Sequence, residues 1–489
     1  MSTSEQIQPH TLRAAVKHGK MNRRAWVVTF LLVIFQIINF ADKAVLGLVA
    51  DSAIKELGLT AGQFGFIGSA FFFLFAIAAV AVGFLAGKVP TRWILLTMGV
   101  SWAVLQFPML FGGGAAILLV TRILLGGAEG PATPISLQHV HGWFPAKERG
   151  FPSSIIAVGS TLGPIIAAPI LAGIIAHPDL GWRWAFGFLG IAGLAWSVLW
   201  FLLGRDGPYS HTAKKQAGAQ AAPATGSTPA QREVLRPEEP AAAKRSGSIT
   251  ERADLLKIVP IRRVLGSKMF LAAVLAGAGC FWAQGFLTTW SPKYLGSVVA
   301  LSPEMIGLVS TFPWVIGALA LLVLGYASRL LMRRGVTVRW AMGALFGATL
   351  LVSGICFTVL PHLNGYAAVT ALTLGAGLAM IYPLAPTAIA FCVCSKQRAA
   401  IMATLTGLAS IGGVIAPAMV GTLMDRAGYV PGPKGVRDSA EMAALLAQGM
   451  NSSFAMIGVY LIVVGIICVL LLNPDRTAEK LQTRFAFNG

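Results

Sequence analysis

The sequence predicts an all-α integral membrane protein with twelve transmembrane helices arranged as two pseudo-symmetric six-helix bundles. Three observations predict it. Of 489 residues, 56% are hydrophobic and only 12% are charged, about half the charged share of a soluble domain, and the mean hydropathy is +0.72. The basic residues are distributed asymmetrically between alternate connecting segments. Finally, the two halves of the chain repeat one another at a fixed offset.

Each spanning helix needs about 20 consecutive apolar residues. Twelve such stretches can be marked, at 26–49, 62–86, 92–112, 115–140, 151–177, 182–204, 268–292, 303–328, 339–360, 366–394, 399–424 and 452–472. The 55 glycines fit this reading, because small residues let membrane helices approach closely. Residues 1–25 form a polar, basic tail, and the apolar run after them is long enough to span, so no cleavable leader is expected. The first bundle covers 26–204 and the second 268–472, with a C-terminal tail at 473–489. Between the bundles, 205–267 is rich in Ala, Pro, Gly, Ser and Lys and too poor in apolar residues to fold alone. It is expected to be a mostly disordered cytoplasmic linker. Near 249–265 it mixes Leu and Ile with Arg and Lys, which suits a short interfacial helix or a plain juxtamembrane tether.

With the N-terminus in the cytoplasm, 30 of the 38 Lys and Arg residues fall in cytoplasmic segments. This is the positive-inside pattern, and it places both termini in the cytoplasm of a multi-pass cell-membrane protein. The net charge of +19 therefore reports topology, and nucleic-acid binding is excluded. Cys280, Cys356, Cys392, Cys394 and Cys468 all sit in apolar stretches, as small buried hydrophobes do. No metal site and no cofactor is expected. No G-x-x-x-x-G-K-[ST] loop is present, so primary pumping by ATP is not expected either.

An offset of 249 pairs Gly126 with Gly375, Pro134 with Pro383, Arg149 with Arg398 and Gly163 with Gly412. These are helix-packing glycines, a helix-bending proline and a loop arginine. Repetition of six spans is the pattern of carriers that rock two halves about a central site.

Four ionisable residues lie well inside apolar helices: Asp42 and Lys43 in the first, Arg122 and Glu129 in the fourth. Each costs about 2.5–3.5 kcal/mol at the bilayer centre by insertion scales, so each needs a partner or a water-filled cavity. They sit at similar depth if the first span runs outward and the fourth inward at about 1.5 Å per residue. Arg122 and Glu129 are two helical turns apart on one face, and Gly126, Gly127, Ala128 and Gly130 between and beside them leave room for a ligand. The repeat partners of Arg122 and Glu129 are Ala371 and Leu378, so the charge is concentrated in one half, as a site would be. An arginine in a low-dielectric cavity offers a planar fork to a carboxylate, and Lys43 adds a second positive charge. Asp42 and Glu129 are candidates to hold a proton, and an anion at Arg122 would remove the cations that oppose their protonation. Anion and proton would then bind together, which is symport.

These residues carry a resemblance. Asn39-Phe40-Ala41-Asp42-Lys43 resembles the N-Y-x-D-R that ends the first helix of the anion:cation symporters of the major facilitator superfamily. Arg122 to Pro131 resembles that family's fourth-helix R-x-x-x-G-x-x-E-G/A-P signature. Trp143-Phe144-Pro145 with Glu148-Arg149, Gly181-Trp182-Arg183-Trp184, and Trp290-Ser291-Pro292-Lys293-Tyr294 are similar to further family motifs. The resemblance implies the major facilitator fold. It also implies anion binding by Lys43 and Arg122 and proton coupling by Asp42 and Glu129.

There are departures. Family members that carry sugar acids commonly have tyrosines where Phe40 and Phe75 stand, glutamine at Ser160 and asparagine near Ser410. A pocket without those donors favours a weakly hydroxylated monocarboxylate or aromatic carboxylate, with polar contacts left to Gln284, Thr288, Tyr382 and Ser410. The loop after the second helix replaces the superfamily's G-x-x-x-D-R-x-G-x-R with Gly87 for the aspartate and Pro90 for a glycine, and the counterpart after the eighth span also lacks the aspartate. The cytoplasmic latch must therefore differ. His139 and His141 read as interfacial packing near Trp143.

The expectation is a proton-coupled importer of a small organic anion, working by alternating access among membrane lipids, as a monomer. An anion exchanger or exporter, or a hexonate or hexuronate symporter, is the alternative. Nothing resembling a nucleophile–base pair or metal-ligand set points to an enzyme.

Overall fold

The structure, a computed structural model, describes residues 9–85, 89–145, 148–210, 258–390, 392–393, 395–433 and 436–486. Among the described residues all regular structure is helical. Twelve helices, numbered here as the first to the twelfth span, are long and apolar enough to cross a membrane: Arg23–Leu48, Ala61–Val82, Thr91–Leu110, Ala115–His141, Phe151–Ala176, Arg183–Leu203, Lys268–Thr289, Pro303–Arg333, Arg339–His362, Gly365–Pro386, Ala400–Arg426 and Ala440–Leu471. An even number of crossings returns the chain to the face it started from, so one face bears both termini.

Two spans depart from the hydropathy reading. The twelfth begins at Ala440, twelve residues before its apolar core, where Ser439 caps it by accepting from the Met442 N–H. A helix need not stop at the hydrocarbon edge, and Glu441, Gln448 and Asn451 in this extension hid it from an apolarity count. The tenth span breaks in a turn at Met380–Pro383 and resumes as Leu384–Ala390, so Cys392 lies beyond its end. The expected disordered linker lies largely outside the described residues, as do Cys394 and residues 249–257 of the expected interfacial helix. What is described there is a five-residue helix, Ile261–Leu265. Just before it, the Val259 main chain is clamped by the Gln397 amide, which accepts from its N–H at 2.9 Å and donates to its carbonyl at 2.5 Å.

The repeat read from four residue pairs is a repeat of contacts. In the first half the first span packs on the fifth, the second on the fourth and the third on the sixth. In the second half the seventh packs on the eleventh, the eighth on the tenth and the ninth on the twelfth. Gly163 brings the fifth span against the Ile37 carbonyl and Ala41 N of the first, and Gly412 brings the eleventh against the Ala278 carbonyl and Trp282 N of the seventh. The fourth span breaks at Gly130–Pro131 and the tenth at Met380, the same position of the repeat. Pro134 is not the bending residue: it is the third residue of the segment Ala132–His141, where a first-turn residue needs no N–H. The halves meet along the second and eleventh, fifth and eighth, and first and seventh spans.

A Cβ at Gly126 would stand 1.9 Å from the Phe71 carbonyl oxygen of the second span, whereas one at Gly173 would meet nothing within 4 Å. Gly126→Ala is expected to force the second and fourth spans apart, costing about 1–3 kcal/mol and lowering the melting temperature in detergent. Gly173→Ala should leave it unchanged.

Candidate functional site

The four buried charges meet. Lys43 Nζ lies 2.8 Å from Glu129 Oε2, donates to Asn39 Oδ1 at 2.6 Å, and reaches the Asn39 carbonyl at 3.3 Å. The Asn39 contacts come from one helical turn earlier on the same span, so the first span itself orients the ammonium. Its charge also faces the Phe40 ring, 4.3 Å away, and the Phe71 and Phe75 rings, each 5.9 Å away. Asp42 points to the other side of the first span and accepts from Gln106 Nε2 of the third at 2.7 Å. Arg122 donates through Nη1 to the main-chain oxygen of Asp42 at 3.3 Å and lies over the Phe186 ring of the sixth span at 5.2 Å. All four side chains are buried.

The glycines of the fourth span do not make room for a ligand, contrary to the sequence reading. Gly126 and Gly130 press on the Phe71 and Phe75 carbonyls and Gly127 on the Leu74 side chain, so these positions are filled by the second span. The free space lies elsewhere. One small cavity is lined by Lys43, Leu46, Phe71, Phe72 and Arg122 from the first half and by Thr288 and Thr289 from the second. A second, lined by Ala44, Leu48, Leu287, Ser310 and Trp314 among others, shares Thr288 with it. Each has room for about one water molecule, so a larger ligand enters only once the halves part.

Three buried polar atoms at this site have no hydrogen-bond partner among the described residues: Arg122 Nη2, Glu129 Oε1 and Asn39 Nδ2. An orphaned donor on a buried guanidinium is costly. Arg122 also lines the first of the two cavities.

The remaining candidates divide. Phe75 joins the site and meets Phe71 and Phe72 at tilted angles and, across the interface, Phe281 edge-on at 6.5 Å. Tyr382 continues this wall, its ring 5.1 Å from Phe281 and its hydroxyl donating to Thr406 at 3.1 Å. Ser160 and Ser410 return their hydroxyls to their own helices, on the Ala157 and Gly407 carbonyls, and Thr288 does the same on Gln284. Gln284 is half-buried one turn before Thr288, its carbonyl accepting the Thr288 hydroxyl. His139 is packing: it bonds Thr91 and the Arg205 carbonyl and meets the Trp200 ring edge-on. His141 bonds Ser153. Sequence reasoning gave no role to Asn39, Gln106 or Phe186. Gln106 could have been found by the argument applied to the charges, as an amide inside an apolar span. Among the described residues no group of three or more His, Cys, Asp or Glu is placed to hold a metal.

Lys43→Met leaves the Glu129 carboxylate buried without its cation and should cost about 3–5 kcal/mol of stability, read as a fall in melting temperature. Adding Glu129→Gln should recover most of that stability.

With this geometry in hand, comparison with known proteins is informative. A family model described as the Major Facilitator Superfamily matches residues 32–417. A hexuronate transporter of Bacillus subtilis is 26% identical, over 83% of this chain and 89% of its own. A probable galactarate/D-glucarate transporter of Escherichia coli is 26% identical, over 93% of this chain and 96% of its own. A probable sulfoacetate transporter of Cupriavidus necator is also 26% identical, over 67% and 71%. Among solved structures, a bacterial homolog of the human lysosomal transporter Spinster, inward-facing and occupied, aligns with a TM-score of 0.69 at 17% identity, covering 94% of this chain and 98% of its own.

Proposed function

The chain belongs to the major facilitator superfamily, and we propose that it is a secondary symporter that takes up a small organic anion with protons by alternating access. It is a multi-pass membrane protein and not an enzyme. The observation that carries the reading is Arg122, buried with Nη2 unpartnered on a cavity that it shares with Lys43.

The chemistry runs from those contacts. A carboxylate entering between the halves is met by the Arg122 fork and by Lys43. Lys43 is already held by Glu129, so the anion competes with Glu129 for the same ammonium. A carboxylate buried in hydrocarbon and stripped of its cation is neutralised by taking a proton. Glu129 and Asp42, on either side of the first span, are the two groups that accept it. Substrate and proton thereby enter the site together, and the neutralised site can reorient. The positive-inside distribution supports cytoplasmic termini in a cell membrane, and the placing of all the candidate residues within one chain supports a monomer in its lipids as the working unit.

On substrate class, the relatives favour a sugar acid over the weakly hydroxylated carboxylate that pocket polarity suggests, since two that match more than four-fifths of this chain are named for hexuronate and galactarate/D-glucarate. One observation keeps the second reading in view. The wall facing Lys43 is built of phenyl rings, Phe40, Phe71 and Phe75, without a hydroxyl for a sugar chain, and the relative named for sulfoacetate shows that the sugar-acid names are not uniform.

Purified protein in liposomes, with internal pH followed under an inward proton gradient, tests both. Hexuronates and hexarates are expected to drive proton entry, and Arg122→Ala and Glu129→Gln to abolish it. Anion movement without proton flux would make Asp42 and Glu129 structural partners and the protein an exchanger or facilitator. If only sugar-free carboxylates drive proton entry, the second reading holds. Phe40→Tyr with Phe75→Tyr should then raise the response to sugar acids by about tenfold, a gain worth one good hydrogen bond.

A further inference from the structure

We infer that Asp425, together with the ion cluster Asp51–Lys55–Lys293–Asp438, forms a two-part latch that closes the bundles at the face opposite the termini. The inference rests on the alternating-access reading above and names what that reading leaves open, the residues whose contacts must break for this face to open.

The first part is a helix cap supplied in trans. The second span starts at Ala61, and its first N–H groups have no partner within their own helix. Asp425, at the far end of the eleventh span in the other half, accepts from the Ala61 N–H at 3.0 Å, the Gly62 N–H at 2.9 Å and the Thr60 hydroxyl at 2.8 Å. A carboxylate at a helix N-terminus also meets the positive end of the helix dipole. Gly62 is required there, since a Cβ would stand 2.6 Å from Asp425 Oδ2. The spacing G-x-x-x-D-R-x-G, missing after the second and eighth spans, occurs here as Gly421, Asp425, Arg426 and Gly428. Gly428 takes φ +90°, a conformation open to glycine, and turns the chain out of the helix just past the aspartate.

The second part is ionic. The helix Ala50–Leu57 extends the first span and carries Asp51 and Lys55; Ser291–Ser297 extends the seventh and carries Lys293; Asp438 precedes the twelfth. Lys293 bonds Asp51 across the interface and Asp438 at 2.7 Å, and Lys55 lies 3.3 Å from Asp438 and donates to the Val436 carbonyl at 2.5 Å. Ser297 and Tyr429 hydroxyls also donate to Asp438, at 3.0 and 3.2 Å. The Lys55, Lys293 and Asp438 side chains are 2%, 2% and 1% exposed and Asp51 is 52% exposed, so three members are buried and Asp51 is the solvent-facing rim of the cluster. Two of its charges belong to each half. Parting the halves exposes every member to water, which replaces the lost bonds and makes the latch reversible.

Burial works against ionisation of Asp438, but bonding to Lys293 and the charges of Lys293 and Lys55 outweigh it and hold its carboxyl below the usual range. Burial pushes the Tyr429 hydroxyl far up, so it remains a donor. With Asp51, Lys55, Lys293 and Tyr429 facing it, Asp438 stays ionised at every pH above its unfolded value near 4. The contribution of Asp438 is lost only as pH falls through the still lower value of its folded state.

The test places spin labels at Leu180→Cys in the first half and Val430→Cys in the second, both exposed near this face, and measures their distance distribution in the full chain in detergent. Neither substrate nor a proton gradient is needed, so a failed transport assay does not bear on the outcome. Asp425→Ala with Lys293→Gln should raise the population at longer distance at least tenfold over the unsubstituted chain, while Lys293→Arg should not change it. The unsubstituted distribution should be constant from pH 8 to pH 5. A double variant that keeps its melting temperature and shows unchanged distances overturns the inference. If the double variant does not fold, Asp425→Asn is measured in its place. It keeps an acceptor but not the charge, so it should shift the distribution in the same direction, and no shift overturns the inference equally.

Discussion

Lys43 is an ammonium group in the middle of an apolar helix, and the rest of the first half is arranged around the need to satisfy it without bulk water. Among the described residues, Asn39, Glu129 and the faces of three phenyl rings answer its three donors. Glu129 can reach it only if the fourth span lies close, and the fourth span lies close because Gly126 and Gly130 let it seat on the backbone of the second. That same seating brings Phe71 and Phe75 over the ammonium. Gln106 from the third span and Phe186 from the sixth complete the arrangement by holding Asp42 and Arg122. One buried cation therefore fixes the mutual positions of helices far apart in sequence. Removing any partner leaves a charge in a medium that does not tolerate it.

The halves repeat in backbone and differ in chemistry. Both break the fourth helix of the repeat at the same position, both pack their fifth on their first through a glycine, and both use the same pairings. Among the described residues, the charged groups at the site belong to the first half. The second contributes threonines, Phe281 and Tyr382. A broken helix frees backbone groups and allows local bending, and Glu129 is the last residue before the break in the fourth span. The fold thus supplies two similar halves, and the sequence places the buried charges of the candidate site in one and threonines and aromatic rings in the other.

Much of this was legible in the sequence for a physical reason: a bilayer imposes a length of apolar chain and a penalty on buried charge, and both are local properties. The twelve spans and the burial of Asp42, Lys43, Arg122 and Glu129 inside them follow from those two rules. Where the rules are silent the reading slipped. A helix that continues past the hydrocarbon, as the twelfth does, has no apolar signature. Glycines on a charged face look the same whether they admit a ligand or a neighbouring helix, and Gly126 admits a helix.

The sequence by itself determined that this chain lies in a membrane, crosses it twelve times in two related halves, and buries four charges on two helices, because each of these is set by the transfer energy of individual side chains. Only the tertiary structure decided which charge meets which. It split the site into a Lys43–Glu129 pair and an Asp42 held by Gln106, left Arg122 Nη2 without a partner, and gathered Asp51, Lys55, Lys293, Asp425 and Asp438 from four stretches of chain at one face. Pairing depends on distances across helix interfaces, and residues separated by up to several hundred positions carry no mark of it until the helices pack.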